Sequence, residues 1–238
     1  MAIERYNTGV LELYRFWRLL QGKGGEGRRR ISRSASEWGM SKMDKREQLR
    51  DGVRKAYSAA AERPQDKHPF PVGRSFAESL GYSQDLLAAL PSVSVDAFSG
   101  VSNVAVFAEI PVGAVVLDLG CGSGLDSLIA AQRVGPEGRV IGVDFSEAML
   151  ARARQATVEL GVGNVDFYRA DAEKLPIEDG LIDVALANGI FNLNPERGAI
   201  FGELARAVRQ GGAVYAAELI LREPLPPEIQ DSESNWFA

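Results

Sequence analysis

Asp118, Gly120, Gly122 and Gly124 fall together in the stretch VVLDLGCGSGLDS, residues 115–127. A short apolar run ends in a carboxylate, and glycines then recur at alternate positions. Glycine lets the backbone turn tightly and lets a ligand approach without a Cβ in the way. The spacing is G-x-G-x-G, not the G-x-G-x-x-G of dinucleotide-binding turns. A carboxylate two residues before the first glycine would repel a pyrophosphate. It suits a nucleoside ligand that carries positive charge and no phosphate. S-adenosylmethionine (SAM) is such a ligand, with one ammonium and one sulfonium.

Three further anchors follow in order. Asp144 closes the run VIGVD, 20 residues past Gly124, where a carboxylate can accept both ribose hydroxyls. Asp171, in RADAEKLP, can receive an adenine amino group while the Ala172 amide faces the ring. Asn188, in ALANGIFNL, ends a fourth apolar run and faces the same crevice. Singly, each has a plainer use: Asp118 could cap the following helix, Asp144 could cap at Ser146, and Asp171 could be a turn residue. A nicotinamide enzyme is the rival reading. The order and spacing of all four favour SAM, with S-adenosylhomocysteine as product. The candidate cofactor-binding residues are Asp118, Gly120, Cys121, Gly122, Gly124, Asp144, Phe145, Met149, Asp171, Ala172 and Asn188. Cys121 reads as a small buried turn residue rather than a nucleophile.

These residues need a scaffold, and the hydrophobic pattern supplies one. AVVLDL, RVIGVD, NVDFYRA, LIDVALAN and AVYAAELIL read as strands. Between them lie the helical stretches LDSLIAAQRV, SEAMLARARQATVELG, with Ser146 as cap and Gly161 as stop, and PERGAIFGELARAVRQ. Alternating strands and helices predict an α/β fold, a Rossmann-like doubly wound and mainly parallel sheet. Upstream, residues 44–61 have helical spacing, with Leu49, Val53 and Tyr57 on one stripe. The proline-rich ERPQDKHPFPVG predicts a loop. SQDLLAAL predicts a short helix capped by Ser83 and closed by Pro91, and residues 96–109 a further helix. The domain reading is an extension over residues 1–42, a helical cap and substrate segment over 43–112, a SAM-binding core over 113–223, and the start of a C-terminal segment over 224–238.

Bulk properties narrow the function. The chain has 238 residues, one cysteine and one histidine. That excludes an internal disulfide framework and a zinc site built from cysteines, so no metal is expected. Residues 1–50 carry a net charge of +6 and residues 51–238 a net charge of −11. The acidic body argues against wholesale nucleic-acid binding. No apolar run approaches a membrane span. The chain therefore reads as a cytoplasmic protein, a monomer or weak dimer, acting on a small molecule. VLELYRFWRLL and the Gly/Arg/Ser-rich run after it could be a targeting peptide or a membrane-surface helix. The reading adopted is a disordered extension or an upstream start codon, with Met40 and Met43 as alternative starts.

The glycine turn and its partners resemble the class I SAM-dependent methyltransferases, and more closely their arsenite methyltransferase branch. The likeness runs through VLDLGCGSGLDSLIAAQRVGPEGRVIGVDFSEAMLARAR, GYSQDLLAALP, NGIFNLNPER and LILREPLPPE, over about residues 45–238. It implies a SAM cofactor and methyl transfer. In that branch cysteine thiolates hold trivalent arsenic. The matching positions here are Val101, in SGVSNV, and Gly189, in NGIFNL, and KHPFPVGRSFAESL has no cysteine either. Two more strands normally follow the fifth, and a bare AVYAAELIL edge would be an aggregation hazard. The chain is therefore expected to be truncated before its last two strands. The resemblance places a cysteine just after the W-x-x-like segment near Trp236, so an in-frame UGA selenocysteine codon read as stop is one expected cause.

For methyl transfer the protein must place a nucleophile in line with the sulfonium methyl and exclude water. A soft nucleophile needs little base help; an oxygen or carbon acid needs a general base. Candidates are Glu218, Asn188 and Asn192 at the crevice, with Tyr82 and His68 closing over it. Each has a structural alternative: Glu218 on backbone amides, Tyr82 in lid packing, His68 on a loop. Three functions stay open: an arsenite-type methyltransferase, a methyltransferase for a small organic acceptor, and an idle SAM-binding module.

Overall fold

The structure, a computed structural model, describes residues 8–13 and 39–221. Strand β1 is Thr8–Leu13, followed by helices α1 (Gly39–Glu62), α2 (Arg74–Ser79), α3 (Gln84–Ala88), α4 (Ser92–Val95) and α5 (Val104–Phe107). The core then alternates: β2 (Val115–Leu119), α6 (Leu125–Val134), β3 (Arg139–Asp144), α7 (Glu147–Leu160), β4 (Val165–Arg169), β5 (Ile182–Asn188), α8 (Arg197–Ala207) and β6 (Val208–Leu221). The sheet order is β1-β6-β5-β2-β3-β4. Strands β2 to β6 are mutually parallel. This is the predicted doubly wound α/β architecture. The strand order reverses between β2 and β5, the switch point at which such sheets open a ligand crevice.

Side chains alternate across the sheet as the strand period of two requires. Val116, Val140, Val184 and Leu186 face one layer, where they meet Leu125, Leu128 and Ile129 of α6 and the cap residues Leu87, Val95 and Val104. Leu117, Leu119, Ile141, Val143 and Ala185 face the other, against Ile200, Leu204 and Ala207 of α8. Leu117 and Leu128 are fully buried, each worth about 2 kcal/mol in transfer from water. The apolar strand runs thus reflect a sheet covered on both faces.

Local signals behave as their chemistry dictates. Ser146 Oγ accepts the Met149 amide to cap α7, and Gly161 ends that helix at φ 73°. Ser83 Oγ accepts the Leu86 amide at 3.2 Å to cap α3. The helix expected over 96–109 is only the single turn Val104–Phe107. Asn188 Oδ1 accepts the amides of Val101 and Ser102 at 2.8 and 3.1 Å, which holds that backbone out of a helix. The helix expected to reach Gln210 stops at Ala207, where Val208 enters the sheet opposite Ile182. The β6 edge, expected to be bare, is paired antiparallel with β1 from Ala216 to Leu221. Apart from β1 and the start of α1, residues 1–42 lie outside the described residues. So do residues 224–238, and with them the expected truncation. Among the described residues no helix is long and apolar enough to cross a membrane.

Candidate functional site

The turn after β2 builds the floor of the site. Gly120, Gly122 and Gly124 have φ of 73°, 52° and 85°. The amides of Gly120 and Cys121 both donate to Val143 O, at 2.8 and 3.0 Å, and tie the turn to the end of β3. At Gly124 a Cβ would lie 2.9 Å from Ala153 Cβ. Gly124 therefore serves the close approach of α7 and does not line the cleft. Above the turn lies an open cleft along the carboxyl ends of β4, β3, β2 and β5.

Three buried carboxylates reach this cleft. Asp118, at 2% exposure, accepts Ser127 Oγ at 2.5 Å. Asp126, in the first turn of α6, accepts Tyr82 OH at 2.6 Å and Asn188 Nδ2 at 2.8 Å. Asp144 accepts the amides of Ser146 at 2.8 Å and Gly122 at 2.9 Å. Among the described residues every hydrogen-bond donor to the three is neutral. Burial, and then the neighbouring Asp126 charge, pushes Asp118 up to about 8. Burial lifts Asp144 to about 6 against the pull of its backbone amides. Desolvation also raises Asp126, despite bonds from Tyr82 and Asn188. Buried carboxyls whose ionisation burial opposes, with no basic side chain bonded to them among the described residues, favour a cationic ligand.

The β3–β4 end differs. Asp171 is exposed and pairs with Arg54 at 2.9 Å, while Arg50 pairs with Glu173. Both arginines come from α1, which lies over the cleft and lines it with Arg50, Val53, Arg54 and Tyr57. These four recur at the helical spacing that puts them on one face. Tyr57 stacks on Phe70 at 4.4 Å and meets Phe145 edge-on at 6.3 Å. Burial, then the Asp144 charge, pushes its phenol up and keeps it protonated. The far end of α1 is anchored by Ser58 Oγ to Ser146 Oγ at 3.0 Å, and by Ala61 O to Arg152.

Of the residues singled out from sequence, Asp118, Gly120, Cys121, Gly122, Asp144, Phe145, Asp171, Ala172 and Asn188 line this cleft. Met149 does not; it is buried against Ala60 and Ala61 beneath α1. Cys121 is buried and its thiol is pushed up by desolvation, then by Asp144 and Asp118, so it is protonated. Glu218 stands behind the wall. Its carboxylate accepts the Phe191, Asn192 and Leu219 amides at 2.7, 3.1 and 3.0 Å, and it shapes the loop after β5. The Asn192 side chain is spent on Leu219 O. Tyr82 is buried and bonds Asp126 instead of facing the cleft, and His68 bonds Arg63 O at 2.8 Å on the surface. Sequence reasoning missed Asp126, Tyr57 and Arg54. Asp126 carried a signal, a carboxylate in the first turn of the helix after the glycines. Among the described residues no group of three His, Cys, Asp or Glu side chains is arranged to hold a metal.

The pattern of a methyltransferase domain matches residues 110–237, more than half of the chain. The protein belongs to the methyltransferase-domain family. The arsenite methyltransferase of Halobacterium salinarum is 36% identical over 156 residues, covering 66% of this chain and 40% of its own length. The demethylmenaquinone methyltransferase of Lactococcus lactis is 36% identical over 106 residues, covering 44% and 42%. The crystal structure of an arsenic(III) S-adenosylmethionine methyltransferase from Chlamydomonas reinhardtii aligns with a TM-score of 0.56 at 30% identity, covering 61% of this chain and 51% of that one. This methyltransferase-domain chain spans about two fifths of the length of the curated relatives it matches. Family and structural neighbour imply SAM as the cofactor, and the donor set fits it: carboxylates for the cationic arm and ribose, a glycine turn for close approach.

Proposed function

We propose that the chain binds SAM across the ends of β4, β3, β2 and β5 and moves its methyl group to a small acceptor, as an arsenite methyltransferase-like enzyme. The observation that carries this is the trio Asp118, Asp126 and Asp144, buried on a cleft wall with only neutral hydrogen-bond donors among the described residues. Bound SAM supplies a methyl already activated on a sulfonium. The chain does the rest. Asp144 accepts the ribose hydroxyls, Asp171 and the Ala172 amide read the adenine, and the glycine turn lets the ligand lie close. Val53 and Tyr57 of α1 roof the cleft and keep water from the reacting atoms. The acceptor enters beside Phe98, Ser99, Gly100, Ile190, Leu193 and Asn194, which complete the lining near β5. Residues 43–112 act as the roof and acceptor segment and residues 113–223 as the SAM core. Within this reading the chain works in the cytoplasm, without nucleic acid, as a monomer or weak dimer.

A specific contact favours a second reading of the acceptor. At Gly189 a Cβ would lie 2.9 Å from Val101 Cγ1, so the two positions that resemble thiolate sites touch each other and are apolar. That supports an organic acceptor, of the kind for which the demethylmenaquinone methyltransferase is named, over a thiolate-held metalloid. The test is calorimetric binding of SAM, followed by release of S-adenosylhomocysteine with arsenite plus a thiol, and with a hydroquinone. SAM binding with turnover on either acceptor supports methyl transfer and names its class. SAM binding without turnover on both leaves the idle SAM-binding module, and absence of SAM binding overturns the proposal.

A further inference from the structure

We infer that Asp126 is the carboxylate that anchors the amino group of the methionine arm of SAM, and that Tyr82 and Asn188 are the positioning residues that hold it there. The inference rests on the SAM reading above and assigns a role within that cleft. Strand order sets the direction of the ligand. Asp171 follows β4 and Asp144 ends β3, so adenine and ribose occupy that side. β2 comes next and β5 beyond it, and the methionine arm must run toward them. The groups waiting there are Asp118 at the end of β2, Asp126 at the start of α6 and Asn188 at the end of β5.

The network around Asp126 is built for a charged carboxylate. Asn188 Oδ1 is held by the amides of Val101 and Ser102, so its amide cannot flip and its Nδ2 must donate, to Asp126 Oδ2 at 2.8 Å and Ser102 O at 2.7 Å. Tyr82 OH donates to Asp126 Oδ1 at 2.6 Å, and burial pushes its own ionisation far up, so it stays a donor. The Ala105 amide adds a third bond. Tyr82 OH has a second acceptor in Ser102 O at 3.2 Å, but the shorter bond runs to Asp126, so both carboxylate oxygens are held as acceptors. The start of a helix favours the negative form as well. The charge is thus preserved in a site that desolvates it, beside Asp118. A cation held between the two carboxylates answers both costs, and the arm of SAM carries one. Tyr82, read from sequence as a substrate contact, then acts through Asp126.

The test compares S-adenosylhomocysteine with 5′-methylthioadenosine, which shares the adenosine and the neutral sulfur but has no amino-acid arm. In the full chain, Asp126→Asn weakens SAM and S-adenosylhomocysteine about 10- to 100-fold and leaves methylthioadenosine within about twofold. Tyr82→Phe weakens the same two ligands about 3- to 10-fold, with methylthioadenosine again unchanged. If Asp126→Asn does not fold, Tyr82→Phe, which deletes a single hydroxyl, carries the comparison. Equal losses for all three ligands, or unchanged affinity for S-adenosylhomocysteine, overturn the assignment and leave the SAM reading standing. A wild-type chain that binds none of the three overturns both.

Discussion

Asp118→Asn should stabilise the ligand-free protein while weakening its hold on SAM. The side chain keeps its size, and the Ser127 hydroxyl that donates at 2.5 Å can turn to accept. What is removed is a carboxyl at 2% exposure whose ionisation burial and the neighbouring Asp126 oppose. Its folded-state value of about 8 lies above the ordinary 3.8 that it has when unfolded. Below that ordinary value both states are protonated and nothing is lost. As the pH rises toward 8 the unfolded chain sheds the proton first, so stability falls. The slope is about 1.4 kcal/mol per pH unit for one group, on the order of 4 kcal/mol between pH 5 and pH 8. The asparagine variant has no such slope at this position. Its advantage therefore widens with pH, and each kcal/mol moves the midpoint of a chain this size by roughly 2–4 °C. Thermal scans from pH 5 to pH 8.5 read the effect directly. SAM should reverse it, because a bound cation favours the ionised form: its stabilisation of wild type grows over the same range, and calorimetry at pH 8 finds the variant about 10- to 100-fold weaker. A variant that melts below wild type at pH 8, or a gap that does not change with pH, would refute the reasoning.

Other positions give cleaner single outcomes. Gly124→Ala forces a Cβ to 2.9 Å from Ala153 Cβ at a φ of 85°; the combined crowding and strain cost about 2–4 kcal/mol, a midpoint loss of roughly 5–15 °C by thermal scan. Arg54→Ala breaks a half-exposed pair with Asp171, so stability changes by less than about 1 kcal/mol. Stopped-flow release of SAM should nevertheless quicken, because α1 loses a tie over the cleft; an unchanged rate would show that α1 does not govern exit. Cys121 is buried and protonated, and should not react with a thiol reagent in the native protein and should titrate as one thiol after denaturation.

Periodicity made the core legible. The runs LDSLIAAQRV and RVIGVD match α6 and β3 to the residue: the first lies between Gly124 and Gly135, and the second runs from Gly138 to the Ser146 cap of the next helix. The cap was less legible for a physical reason. Residues 96–103 have apolar spacing that suits a helix, yet Asn188, some 86 residues later, captures two of their amides. No local pattern announces a side chain that arrives from another strand. The site divides the same way. Carboxylates at strand ends were readable from position alone, since parallel sheets present their carboxyl ends to the ligand. Glu218, expected at a strand end, lies inside β6, which runs on to Leu221, and the amides of Phe191 and Asn192 in the loop after β5 and of Leu219 in β6 consume it. Only the structure separates a carboxylate that faces the cleft from one that holds up its wall.

The same contrast explains why the site costs stability and why that cost is useful. Glu218 is held by three amides, whereas Asp118 has the hydroxyl and amide of Ser127 alone against burial and the like charge of Asp126. A core optimised for stability would replace such buried carboxylates; they persist where a ligand supplies what the fold withholds. Binding that brings a cation to these carboxylates returns stability in proportion to RT ln(1 + [L]/Kd). It also draws on the cap, because Tyr82 and the amides of Val101, Ser102 and Ala105 meet the core at Asp126 and Asn188. On the proposed reading, cofactor binding and docking of the cap are one equilibrium, and the proposed acceptor wall of Phe98, Ser99 and Gly100 is set in place by the residues that hold the charge.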